Sequence, residues 1–228
     1  MSYSPYEPPR DAPVGTFRPL GAKTTATAIA IVGSSGLAIV VTIMGAVKPL
    51  STDPNQLDLT WVGIMGVLGI VLQLASLAAG ILFLFWIHQA ATNLRGYGHE
   101  GFEFSPGWCV AWWFIPIASL WKPYQATKEV WLASDPNAIG AASPLAWRNS
   151  TVPAVFPLWW ATYITSGFVA LIGVGWSTVA SMQNVEAPGA NVVAFFGQAL
   201  SAASAVAIVW IMRKLDTRQS ECAMKLRG

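Results

Sequence analysis

Residues 61–87 read WVGIMGVLGIVLQLASLAAGILFLFWI and contain no Asp, Glu, Lys or Arg. Crossing the hydrocarbon core of a bilayer takes about 20 predominantly apolar residues, because a helix rises about 1.5 Å per residue and the core is about 30 Å thick. Backbone groups in hydrocarbon have no water to bond, so a crossing segment must satisfy them internally as a helix. Residues 26–47, 155–179 and 190–212 repeat the pattern, again without an ionisable Asp, Glu, Lys or Arg, as expected where a charge is costly. The whole chain agrees. Of its 228 residues 54% are hydrophobic and 11% charged, against about 25% charged in a soluble domain. The sequence therefore predicts an all-α integral membrane protein with four transmembrane helices.

Outside the spans the signals are compositional. Residues 1–22 carry Pro5, Pro8, Pro9, Pro13 and Pro19 without apolar periodicity, which predicts a disordered, Pro-rich cytoplasmic tail. The apolar run behind it exceeds the core of about 7–15 residues of a signal peptide, so it reads as a retained first span. Residues 23–212 form the predicted membrane domain and 213–228 a basic cytoplasmic tail. A net charge of +2 is too slight to imply nucleic acid as a partner. Cys109 and Cys222 stand far apart, with no CxxC spacing, which excludes a disulfide framework or metal finger.

A fifth apolar stretch, Gly107–Leu120, is shorter, and runs of about 10–14 residues suit re-entrant or interfacial elements. Its tryptophans, Trp108, Trp112 and Trp113 with Trp121 beyond, suit a membrane interface. Ser105 and Pro106 make an N-cap and first helical residue, and Pro116 interrupts the helix. The segment 106–133 is therefore read as a short, Pro-broken, re-entrant or interfacial aromatic helix. Charge placement supports this. If the segment does not cross, twelve of the thirteen Lys and Arg fall on one side and only Lys48 on the other; if it crosses, the split is four against nine. Positive loops lie in the cytoplasm, which predicts both termini there and short outer loops around Asp53 and Glu186.

Pro116 and Pro123 would free the carbonyls of Trp112 and Ser119 in a continuous helix. Gln89, Asn93, Lys122 and Gln125 are the nearby donors, predicting a polar cluster that ties the end of the second span to the broken segment. The order 122–135, KPYQATKEVWLASD, sets Tyr124, Lys128 and Trp131 at helical spacing and predicts a surface-lying amphipathic helix. Gly63, Gly66, Gly69 and Gly80 in the second span, and Gly197, Ser201 and Ala205 in the fourth, offer small faces for close helix approach. His88, His99, Glu100, Glu103 and Glu129 show no recognised metal-ligand spacing. No nucleophile elbow, phosphate loop or dinucleotide fingerprint occurs, so no catalytic, metal or cofactor residue is predicted.

The run FLFWIHQAATNLRGYG from Phe83, followed by FEFSPGWCVAWWFIPIASLWKPYQATKEVW from Phe102, resembles a bacterial membrane-protein family, the domain of unknown function 4328. Trp86, Asn93, Pro106, Gly107, Trp113, Pro116, Pro123, Glu129 and Trp131 match the pattern of that family. Gln89, Ser119 and Lys122 depart from it, standing where Arg, Asn and Arg are expected. The resemblance implies a multi-span protein of a bacterial cytoplasmic membrane, and the family carries no assigned activity. With Trp112 and Gln125, the matching positions and the departures Gln89 and Lys122 form the candidate polar and aromatic cluster.

No span carries a titratable charge and no loop is large enough for a catalytic domain. The sequence thus points to a non-enzymatic module that organises the membrane or binds a partner, with the bilayer and a protein partner or homo-oligomer as its contacts. The alternative is a small oligomeric transporter or channel whose broken helix lines the pathway, with Pro116, Asn93 and Gln73 as residues to suspect.

Overall fold

A computed structural model describes residues 17–46, 59–183, 185 and 189–227. Six α-helices follow one another: α1 (Gly21–Ala46), α2 (Leu59–Asn93), α3 (Pro106–Ala111), α4 (Lys122–Ala133), α5 (Val155–Met182) and α6 (Ala190–Lys225), with short 3-10 turns between them and no strand among the described residues. Helices α1, α2, α5 and α6 are long and apolar enough to cross a membrane, and the chain is a multi-pass membrane protein. The loops around Asp53 and Glu186 that were expected on the outer side, and the first sixteen residues, lie outside the described residues.

The chain divides into two compact units. One comprises Met1–Ala28, Ile81–Pro157 and Val209–Gly228, the other Ile29–Gly80 and Leu158–Ile208. The second unit holds α1 from Ile29 onward, α2 up to Gly80, α5 from Leu158 onward and α6 up to Ile208, and apolar side chains such as Val67, Leu171 and Val192 point outward there. In a soluble protein that surface would be a fault; in a bilayer acyl chains cover it. Helices α5 and α6 approach closely at Gly197, where an added Cβ would lie 3.0 Å from Val169 Cγ1, whereas Gly63, Gly66, Gly69 and Gly80 of α2 face open space. Small residues thus serve close packing in the fourth span.

The first unit carries most of the enclosed core. Trp86, Ile87 and Ala90 of α2, Val130 and Trp131 of α4, Phe156 of α5, and Ile211, Met212 and Leu215 of α6 are all buried in it. Three sequence expectations change here. The stretch 213–228, expected to be a basic tail, is helical to Lys225, and Leu215, Gln219, Cys222 and Ala223 are buried. These positions recur at helical spacing, so one face of α6 packs inward while Arg213, Lys214, Glu221 and Lys225 point out. The last residues of the expected N-terminal tail are also ordered: Leu20 is fully buried, and α1 begins at Gly21. Helix α4, expected to lie on the surface, buries Pro123, Ala126, Thr127, Val130, Trp131 and Ala133, because both Trp131 and the small residues beside it face the core.

A loop between α2 and α3 completes the unit. Gly98 and Gly101 have φ of 71° and 73°, a left-handed conformation that costs an L-residue roughly 1–2 kcal/mol. At Gly101 an added Cβ would also fall 2.7 Å from Leu145 Cδ2 and 2.8 Å from Arg148 Nη2, whereas at Gly98 nothing lies within 4 Å. Gly98→Ala is expected to destabilise the protein by about the backbone cost alone. Gly101→Ala should cost about the same, because the two atoms it meets are the far ends of exposed side chains that can swing aside, and thermal unfolding of the two variants in the same detergent compares them directly.

Candidate functional site

The end of α2 sets the site. Trp86, Gln89, Ala90 and Asn93 fall on one helical face by their spacing, and each is buried. A polar side chain in such a place must find partners or cost about 1–3 kcal/mol, and each of the three polar ones does. The indole Nε1 of Trp86 donates to Thr24 Oγ1 at 2.9 Å. Lys23 Nζ donates to Gln89 Oε1 at 2.9 Å, and Gln89 Nε2 donates to Asn93 Oδ1 at 3.4 Å. Asn93 grips the backbone of Arg18 at both ends, accepting from its N–H at 3.2 Å and donating to its carbonyl at 3.0 Å. Its Nδ2 also donates to Gln219 Oε1 at 2.8 Å.

Gln219, fully buried, extends the chain of bonds to α4. Its Nε2 donates to the Ala90 carbonyl at 2.9 Å and to Ser134 Oγ at 3.0 Å, while Tyr97 Oη donates to its backbone carbonyl at 3.3 Å. Ser134 Oγ in turn donates to the Val130 carbonyl at 2.7 Å. Two amides and a hydroxyl therefore join the N-terminal segment, α2, α4 and α6.

Around this hub, charged groups bind backbone at chain ends and turns. Glu129 accepts from the N–H groups of Glu103 at 2.8 Å and Phe104 at 3.0 Å, pinning the loop before α3. Burial raises its carboxyl above the ordinary range, and those two N–H groups oppose the rise. Arg95 donates to the Phe104 carbonyl at 3.0 Å and lies 4.5 Å from the Phe102 ring centre. Phe102 stacks on Trp147, whose Nε1 donates to the Glu100 carbonyl at 3.0 Å. Arg148 donates to the Gly101 carbonyl. Lys122 meets Glu103 at 3.0 Å in a partly exposed pair.

Arg218 closes the C-terminal end of α4. Its Nε donates to the Ser134 carbonyl at 3.1 Å, its guanidinium lies 4.5 Å from the Trp131 ring centre, and Nη2 stands 3.7 Å from Asp135 Oδ2. A cation is favoured where a helix leaves carbonyls unpaired. Asp135 also accepts from the Ser150 hydroxyl at 2.6 Å and the Asn137 N–H at 2.9 Å. Burial pushes its carboxyl up, but Ser150, Asn137, Arg218 and Lys225 outweigh that and hold it below its ordinary value.

The predicted cluster thus separates into three places. Trp86, Gln89 and Asn93 belong to the hub. Pro123, Glu129 and Trp131 belong to α4, with Gln125 exposed and Lys122 at its start. Pro106, Gly107, Trp112, Trp113 and Pro116 belong to the aromatic segment. The polar donors do not turn to the carbonyls near the prolines: Gln89 and Asn93 bind each other, and Lys122 binds Glu103. Gln219, Ser134, Arg218, Tyr97 and Trp147 were not singled out in the sequence, although the inward period Ile211, Leu215, Gln219 and Cys222 was readable there. Among the described residues no three His, Cys, Asp or Glu converge as metal ligands.

Replacing Gln219 by Leu removes an acceptor from Asn93 and a donor from the Ala90 carbonyl. A loss of about 2–6 kcal/mol is expected, at about 1–3 kcal/mol for each of the two stranded groups. Thr217→Ala, on the exposed side of the same helix, should stay within about 0.5 kcal/mol when both are unfolded thermally in detergent. The depressed Asp135 carboxyl adds stability that is full above its ordinary value of 3.8 and is lost as pH falls through its lower folded value. An acid titration of unfolding should therefore show a weaker loss below pH 3.8 in Asp135→Asn than in the parent.

No curated protein and no solved structure matches the chain. The family model described as a domain of unknown function, DUF4328, matches residues 56–217, which take in α2 to α5 and most of α6, including Trp86, Gln89, Asn93 and Ser134 of the hub, and stop short of Gln219 and of the N-terminal segment. On that match the chain belongs to the DUF4328 family.

Proposed function

We propose that the protein is a non-enzymatic membrane module that holds a protein partner on the braced loops of its first unit. The observation that carries this reading is how the polar groups of that unit are used. Glu129, Asn93, Gln219, Asp135 and Arg218 are committed to backbone and to one another. A carboxylate spent on two N–H groups is a brace, and it is poorly placed to exchange protons with a substrate. The braces fix the backbone of loop 97–105 and of segment 139–150 while leaving Glu100, Leu145 and Arg148 exposed. A rigid loop with a mixed apolar and charged tip suits recognition, because little ordering entropy is lost on binding.

A small transporter is the second reading, and one observation favours it. In the second unit Gln198 Nε2 is buried without a partner beside a cleft of about 230 Å³ lined by Ile39, Thr42, Phe195, Ala199 and Ala202. An unpaired amide at membrane depth is the kind of group that marks a pathway.

The two readings part in a paired measurement. Tagged protein is purified from its native membranes in mild detergent, and a double variant, Leu145→Glu with Arg148→Glu, is treated alike. The module reading expects one identified protein at a fixed ratio with the parent, lost from the variant, and proteoliposomes no more permeable to ions and metabolites than empty vesicles. Solute flux above that background, without such a protein, would replace it with the transporter.

A further inference from the structure

The segment that runs from α3 to the start of α4 presents an uncharged, apolar surface on the first unit. From Gly107 to Trp121 there is no charged residue, and Trp108, Phe114, Ile115, Ile117, Leu120 and Trp121 are all exposed, Phe114 at 69% and Ile117 at 73%. Large apolar side chains gathered in this way mark a surface that something apolar covers.

Its level along α2 says what that cover is. Trp113 packs edge-on against Phe83, with ring centres 5.3 Å apart. Phe83 lies inside the uncharged run of α2, five residues before His88, which is about 7.5 Å along the axis at 1.5 Å per residue. On the same stretch of α2, Leu82 and Phe85 point outward, as they must where α2 meets acyl chains. The aromatic segment therefore continues a surface that already faces lipid.

Much of the backbone is bonded within the segment. Phe114 N–H donates to the Ala111 carbonyl at 3.0 Å, Ser119 to Ile115 at 2.7 Å, Leu120 to Ile117 at 3.2 Å and Trp121 to Ala118 at 3.1 Å. The Ser119 hydroxyl donates to the Pro116 carbonyl at 2.7 Å, and Pro116 has no N–H to satisfy. Such bonds lower the cost of bringing an irregular backbone towards hydrocarbon, where polar groups need internal partners. Charge returns at the mouth of the segment, where Lys122 pairs with Glu103.

We infer that residues 108–121 form a re-entrant wedge, which enters the bilayer on the side where Asn93 and Pro106 lie and buries Phe114 and Ile117 among the acyl chains of that leaflet. This goes beyond the partner-binding reading and holds whether or not a partner protein exists.

The test uses the full chain in vesicles of phosphatidylethanolamine and phosphatidylglycerol, spin-labelled at Ile117→Cys, at Phe114→Cys, or at Leu145→Cys on the braced loop. The parent chain, whose Cys109 and Cys222 are buried, sets the background. Oxygen concentrates in hydrocarbon and a nickel chelate in water. At positions 117 and 114 collisions with oxygen should exceed those with the chelate, and at 145 the order should reverse. A label at 117 that meets the chelate as freely as the one at 145 would overturn the wedge. So would a label shielded from both reagents, which would mean that protein covers the segment. If Ile117→Cys does not fold, Phe114→Cys decides by the same criterion.

Discussion

The bond between Asn93 and Gln219 is where the first unit is made. Both side chains are buried, so each must find its partners among protein groups, and each finds them in a different part of the chain. Asn93 reaches back to Arg18 and Gln219 reaches across to Ala90 and Ser134. Removing either amide leaves several groups without partners in a poorly hydrated place, where the penalty exceeds that of a lost surface bond. The same requirement gives the unit its specificity. An apolar pair of equal volume would pack, but would fix neither the rotation of α6 about its axis nor the path of the residues before α1.

Around that pair the charged residues act as braces for backbone. Glu129, two turns into α4, pins the loop before α3, and Arg218 meets carbonyls left over at the C-terminal end of that helix. Aromatic rings fill the space between: Trp131 lies under the Arg218 guanidinium, donates its N–H to the Thr151 carbonyl and meets Phe156 edge-on. The α4 helix is held by polar bonds at Glu129 and at its C-terminal end and by packing along its length, and it is short enough that neither alone would keep it helical.

The spans were legible because hydrocarbon imposes a single dominant rule on composition, and residues 61–87 obey it without interruption. Asn93, Glu129 and Trp131 were legible as positions, through the resemblance, but not as contacts. The Glu129 carboxylate meets backbone N–H groups of Glu103 and Phe104, and no residue type at those positions announces that. Gln219 was hidden for another reason. It sits among Arg213, Lys214, Arg218 and Lys225, whose charges dominate any average over the segment, while the inward stripe of Leu215, Gln219 and Cys222 shows only when the residues are taken at helical period. The strap at Arg18 was missed because proline-rich composition describes the residues before it and says nothing about where they end.

Arg18, Asn93 and Gln219 lie 75 and 126 residues apart along the chain. During synthesis the first two are made long before the third, so the amide of Asn93 must wait, incompletely bonded, until the final helix has been threaded. The N-terminal strap can form early, but it is locked only when α6 arrives, which makes the closing of this unit a late and non-local event. A chain cut short within α6 would have all four spans begun and its central pair unmade.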